Sequence, residues 1–204
     1  NESSDTIFFS VNDDALPKIL KDCYFADKLL IHTAGSMDLD IFKGYSENYA
    51  VLYPLQTFSK ERVADFMNTP VFIEANNSFS FERTKQIATS ISNYVYELDS
   101  ENRLKLHTAA VFACNFTNHM YSVSSEILQN AGLDFEVMKS LIQETTDKVT
   151  ETGAPLKTQT GPALRNDKNT MNKHLKQLEH DHELVNLYKI ISNRIFESNR
   201  KTQK

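Results

Sequence analysis

Glycine is scarce in this 204-residue chain. Gly35, Gly44, Gly132, Gly153 and Gly161 are all it has, so the phosphate-cradling turn G-x-G-x-x-G occurs nowhere. The serine-hydrolase elbow G-x-S-x-G is missing too. Cysteine is scarcer still. Cys23 and Cys114 stand far apart without a C-x-x-C, which excludes a disulfide framework and a cysteine zinc site. A reduced, cytoplasmic setting is expected, and Cys114 reads as a small apolar filler. Basic residues are outnumbered, 22 Lys and Arg against 27 Asp and Glu, and they are scattered. No basic stripe exists for nucleic acid; Arg194, Arg200, Lys201 and Lys204 read as a solvated tail. No signal peptide is seen. No metal is expected: H-E-x-x-H is missing, and Glu179-His180-Asp181-His182-Glu183 falls at a helix junction where i,i+2 side chains do not share a face.

Up to about Asp99 strand-like runs alternate with helical ones. The strands are expected at Thr6–Val11, Lys28–His32, Tyr49–Tyr53, Val71–Ala75 and Tyr94–Leu98, all rich in Ile, Val, Phe and Tyr. Asp13 or Asp14 can cap a helix to about Lys21, with Pro17 in its first turn. Ser80 can cap another to about Ser92. This alternation predicts an α/β layer with a mostly parallel sheet. The spacing between Tyr49 and Ala75 is shorter and points to a less regular section. After Asp99 strand signals vanish. Helices are expected at about 100–130 (closed by Gly132), from Asp134 to Thr150, at 167–179 and at 183–199. Met171, Leu175 and Leu178 form one apolar stripe; Leu184, Leu187, Tyr188, Ile191 and Ile195 form the other. Two domains follow from the pattern, 1–98 and 99–204.

Charge is missing altogether from Leu106 to Ser125, LHTAAVFACNFTNHMYSVSS, inside the longest expected helix. Two His, two Asn, two Thr and three Ser make the stretch too polar to enter a bilayer. A helix without charge over five turns is expected to be covered by protein on most sides. At about 100° per residue, Ala109, Phe112, Phe116, Met120, Val123 and Ile127 form a core stripe. His107, Val111, Asn115, Asn118, Ser122 and Ser125 cluster roughly opposite, within an arc of about 80°. Buried polar groups need partners, and these can be another helix, ordered water or a ligand. His107 can act as a general acid near neutral pH. Asn115 and Asn118 can orient a carbonyl or amide.

Loops beyond strand ends supply the other candidates, because ligands of open parallel sheets sit there. His32-Thr33-Ala34-Gly35-Ser36 offers hydroxyls and a close backbone approach, or is a plain strand-to-helix turn capped by Ser36 or Asp38. Ser10-Val11-Asn12-Asp13-Asp14 is the same situation one strand earlier, with the paired acids better explained as a helix cap. Tyr53-Pro54-Leu55-Gln56-Thr57 ends a third strand, where Tyr53 and Gln56 can line a pocket. Arg165, in Gln159–Arg165 (QTGPALR), can clamp a carboxylate or phosphate, or is a surface arginine.

Taken together, the HTAGS turn, YPLQTFSK (Tyr53–Lys60), IEA (Ile73–Ala75), LHTAAVFACNFTNHMY (Leu106–Tyr121) and QTGPALR span nearly the entire chain. In this order they resemble a family of NAD(P)-dependent oxidoreductases that pair a Rossmann-like domain with a C-terminal helical domain of unknown function. That family is similar in plan to 6-phosphogluconate dehydrogenase-like and pyrroline-carboxylate reductase-like enzymes. The resemblance implies a Rossmann-like, mostly parallel sheet followed by an all-α domain. It implies hydride transfer between NADP or NAD and a small carbonyl or imine compound, in a homodimer formed through the helical domain. His107 would supply the proton, with Asn115 and Asn118 positioning the reacting group. Ser10, Val11, Asn12, His32, Thr33 and Gly35 would meet the cofactor; Ser36, Tyr53, Gln56 and Arg165 would meet the substrate. It also implies that Thr6–Val11 is a mid-sheet strand, and that the first βαβ unit with its glycine loop precedes residue 1 of a truncated sheet. Two other readings remain open at this point: a non-catalytic homodimeric scaffold, and a sensor that binds nucleotide without turnover.

Overall fold

The structure is a computed structural model, and it describes residues 4–202 apart from 22, 24 and 26. Lys204 of the expected basic tail lies outside the described residues. Five strands form one sheet: β1 (Thr6–Phe9), β2 (Leu29–His32), β3 (Asn48–Pro54), β4 (Val71–Ala75) and β5 (Val95–Glu97). They lie in chain order. β1, β2 and β3 are parallel, pairing Phe9 with His32 and His32 with Val51. β4 runs antiparallel to β3, with Tyr53 opposite Phe72, and β5 is parallel to β4. The reversal falls in the section whose spacing is irregular in the sequence. All four residues of β2 are buried, as befits a strand covered on both faces.

Side chains alternate between the two faces of the sheet. One face gathers Phe9, Leu30, Val51 and Tyr53 with Phe42 and with Leu16 and Leu20 of α1 (Leu16–Lys21). The other gathers Leu29, Ile31, Ala50, Leu52, Val71 and Ile73 with Ala88 of α2 (Ser78–Ile91). Helices on both faces of a mostly parallel sheet give the expected α/β layer. Three local expectations change. β1 stops at Phe9, leaving Ser10 and Val11 exposed in the following loop. The cap of α2 is Asn77, whose side chain accepts from the Ser80 amide at 2.8 Å, while Ser80 itself is buried. Asp13 accepts from the Ser36 hydroxyl instead of capping α1.

Asp99 caps α3 (Ser100–Ala110), accepting from the Asn102 amide at 2.8 Å. The helix continues through a π segment, Val111–Phe116, into α4 (Thr117–Asn130), and Gly132 at φ 70° ends it. A left-handed conformation at that position suits glycine. Next come a 3₁₀ turn at Phe135–Met138 capped by Asp134, then α5 (Lys139–Thr152), α6 (Pro155–Thr158), α7 (Lys168–Gln177) and α8 (His182–Thr202). Among the described residues no strand follows Glu97. Compact packing divides the chain into 1–124 and 125–204. Within this chain the charge-free stretch is not enclosed: Phe112 is 66% exposed and Phe116 49%. Among the described residues no helix is long and apolar enough to cross a membrane.

Candidate active site

A cleft of about 660 Å³ opens where β1, β2 and β3 end. The loop after β1 contributes Ser10, Val11, Asn12 and Asp13, and the loop after β2 contributes Thr33, Ala34 and Gly35. Leu52, Tyr53 and Pro54 of β3 form a further wall, with Gln56 beyond them, and Phe58 and Phe66 come from the β3–β4 connection. His107 of α3 completes the lining. The size suits a small-molecule site. Its location follows from strand direction, since parallel strands bring all three loops to one edge.

His107 has a defined seat in this cleft. Its Nδ1 lies 3.1 Å from the Tyr53 hydroxyl, and the two rings meet edge to face. Burial pushes the Tyr53 phenol above its usual range, against a smaller downward pull from the Arg103 charge, so Tyr53 keeps its proton at neutral pH. Gly35 makes this seat possible. A Cβ at residue 35 would stand 2.6 Å from His107 Nδ1 and 3.0 Å from a Tyr53 ring carbon. Glycine here is required by space, because its backbone needs no left-handed conformation.

Arg103, one turn before His107, is wholly buried and ties α3 to the sheet. Its guanidinium donates to Glu74 of β4 and to the Met37 carbonyl, and to Ser100 Oγ at 2.9 Å. Ser100 in turn donates to Glu74 at 2.7 Å and accepts from the Leu39 amide at 3.0 Å. A buried ion pair supported by further hydrogen bonds sets geometry more surely than it adds stability. This one joins β4, the turn after Gly35 and the helix that carries His107. A sequence signal existed: Glu74 is the one charge in the strand VFIEA. A carboxylate in a core strand needs a cation.

The structure sorts the other expected site residues. Ser10, Val11, Asn12, Thr33 and Gly35 line the cleft, as do Tyr53 and Gln56. His32 does not. It is fully buried below the loop, beside Phe42, and its Nδ1 accepts from the Ala34 amide at 3.2 Å. Burial first, then the Arg103 charge, lowers its pKa from 6.5 to about 4. His32 therefore shapes the HTAGS turn from inside. Ser36 donates to Asp13, which lines the cleft, but does not line it itself. Asn115 and Asn118 are exposed and do not line it either. The reason is the π segment. It holds about one residue more per turn than an α-helix; Asn115 lies within it, and Asn118 beyond it is turned by about 100° from the wheel that groups it with His107. Arg165 lies in the second unit, exposed, in the turn before α7. Phe58, Phe66 and Arg103 escaped the sequence reading.

Comparison with known proteins places this geometry in a family. Among curated proteins no sequence is significantly similar to the chain. A candidate NADP oxidoreductase from Bacteroides fragilis is 42% identical over 95% of this chain and 76% of its own, with a TM-score of 0.89. Two more distant structures share the fold. An imine reductase from Myxococcus stipitatus, in complex with NADP+, is 14% identical with a TM-score of 0.66, covering 97% of this chain and 74% of its own. The 1-pyrroline-5-carboxylate reductase of Streptococcus pyogenes is 11% identical with a TM-score of 0.54, covering 98% and 77%. The model of the domain of unknown function DUF2520 matches residues 69–195, more than half of the sequence. With its mostly parallel Rossmann-like sheet and following helices, the chain belongs to the DUF2520 family.

Proposed function

We propose that the protein is an NAD(P)-dependent oxidoreductase that transfers hydride to or from a small carbonyl or imine compound, with His107 holding the proton. One observation carries this reading. A histidine is seated by a tyrosine hydroxyl at the open ends of parallel strands, over a glycine whose Cβ the seat would not admit. The 42% identity to the Bacteroides fragilis protein described as an NADP oxidoreductase supports it.

The residues around the cleft fit a nicotinamide ring and a small substrate. Ser10, Val11, Asn12, Thr33 and Gly35 would hold the nicotinamide end, since they present hydroxyl, amide and bare backbone to a hollow of suitable size. The bound dinucleotide supplies or accepts the hydride. Binding, orientation and proton handling fall to this chain. The hydrogen bond between the Tyr53 hydroxyl and His107 Nδ1 would hold the ring with Nε2 left for the reacting group. The imidazolium form of His107 would pass its Nε2 proton to the carbonyl oxygen or imine nitrogen as hydride reaches the carbon, giving alcohol or amine and leaving a neutral imidazole; the reverse direction returns both proton and hydride. Gln56 and Tyr53 border the place where the reacting group would lie. Asn115, Asn118 and Arg165 have no role in this scheme.

Replacing His107 by Gln in the full-length protein should lower NADPH-dependent turnover by about 10²-fold or more, measured as nicotinamide oxidation with a carbonyl and imine panel. Unchanged turnover would overturn the assignment, and nucleotide binding without any turnover would favour a sensor. The proposal includes a homodimer formed through the helical part and a cytoplasmic location, which the free thiols Cys23 and Cys114 favour.

A further inference from the structure

The proposed hydride chemistry makes no use of one part of the cleft, the aromatic corner made by Phe58 and Phe66. Their rings stack with centroids 5.7 Å apart and 28° between planes. Both sit on the β3–β4 connection, which a bridge between Ser59 and Arg62 folds back on itself. Both line the cleft that holds His107, yet they remain 56% and 39% exposed. Two stacked phenylalanines left open to water beside a reacting site offer a flat apolar surface.

Charge in the lining of the cleft is one-sided. Among the described residues lining the cleft, the only acidic side chain is Asp13, and no lysine or arginine is present. Lys60 and Arg62 follow on the same connection, but both are exposed and neither reaches the lining. An anionic substituent would find a carboxylate and no fixed cation here. An ammonium or iminium group would find Asp13 and the faces of two rings, both favourable. A neutral apolar group would cover Phe58 and Phe66 at no electrostatic cost.

We infer that this cleft selects substrates whose substituent is apolar and neutral or cationic, with Phe58 and Phe66 as the surface that binds it, and that it discriminates against carboxylates. The inference rests on the proposed site but names its substrate class. It sets this chain apart from an enzyme for a carboxylate-bearing substrate, such as the one in the name of the Streptococcus pyogenes neighbour.

Three probes share one phenyl ring and differ in charge: benzylamine, benzyl alcohol and benzoate. Their binding to the full-length protein at neutral pH is followed by ligand-observed NMR titration, which needs no turnover. Benzylamine and benzyl alcohol should bind, with benzoate weaker by about tenfold or more. Phe58→Ala and Phe66→Ala should each weaken the first two by about fivefold. Asp13→Asn should weaken benzylamine and leave benzyl alcohol unchanged. Phe58, Phe66 and Asp13 are outside the core, so these variants keep the fold. Benzoate binding as well as benzylamine, no binding by any probe, or indifference to both phenylalanine changes would each overturn the inference. His107→Gln should retain probe binding, so a failure of the hydride assignment is read separately.

Discussion

His32 carries the clearest pH signature in the molecule. It is neutral in the folded protein because burial and the Arg103 charge both oppose its proton, and its pKa falls from 6.5 to about 4. In the unfolded chain the same imidazole takes up a proton near its ordinary pKa. Between those two values the unfolded state binds more protons, so stability is complete above about pH 6.5 and declines as pH falls towards 4. The loss at pH 4 should reach about 3 kcal/mol. Urea unfolding at a series of pH values checks this. The His32→Phe variant, whatever its stability at neutral pH, should show a flatter decline over that window; an identical slope would remove His32 as the cause. At this scale the candidate site was half legible. Ser10–Asn12, Thr33, Gly35, Tyr53 and Gln56 stand at strand ends, and strand ends can be found from β-branched and aromatic runs. That His32 turns inward while Thr33 and Gly35 turn to the cleft depends on where the strand stops pleating, which composition does not reveal.

Helix α3 keeps its register on the sheet through Arg103, Glu74 and Ser100. Removing one member of a buried ion pair strands the other charge in a dry place, at a cost of about 3–5 kcal/mol. Arg103→Met should therefore destabilise the protein by that amount in denaturant titration. Glu74→Leu added to Arg103→Met should recover part of the loss, since no charge is then left unpaired. If the single variant costs under about 1 kcal/mol, the pair does not hold the helix. The partners are 29 residues apart in sequence, so their meeting is a tertiary fact that local pattern cannot supply. The same limit explains two other misses. Apolar runs located all five strands within a few residues but could not show that β4 runs against β3. Helical periodicity located 100–130 but assumed one pitch, and the π segment at Val111–Phe116 broke the arc joining His107 to Asn115 and Asn118.

The two compact units differ in how well each is filled. The first has a core on both faces of its sheet. In the second, Ala163 and Ser192 alone are buried among the described residues, while Leu133, Val137, Leu141, Leu156 and Ile190 are exposed, Ile190 by 68%. The stripes Met171–Leu178 and Leu184–Ile195 were legible in the sequence, but periodicity names an apolar face without naming what covers it. A unit of this size with so little buried would scarcely outweigh its own chain entropy. Apolar faces of this extent mark association surfaces, and the commonest closed assembly, a twofold dimer, buries one patch against its own copy. Light scattering on the purified protein should accordingly give twice the mass of one chain. Leu141→Glu with Ile190→Glu places two charges on exposed apolar positions and disturbs no core residue. That variant should shift to monomer and lose thermal stability, because the covered area is then returned to water. A wild-type chain running as a stable monomer, or a variant that stays dimeric with unchanged melting, would mean that these helices are held by something other than a second copy.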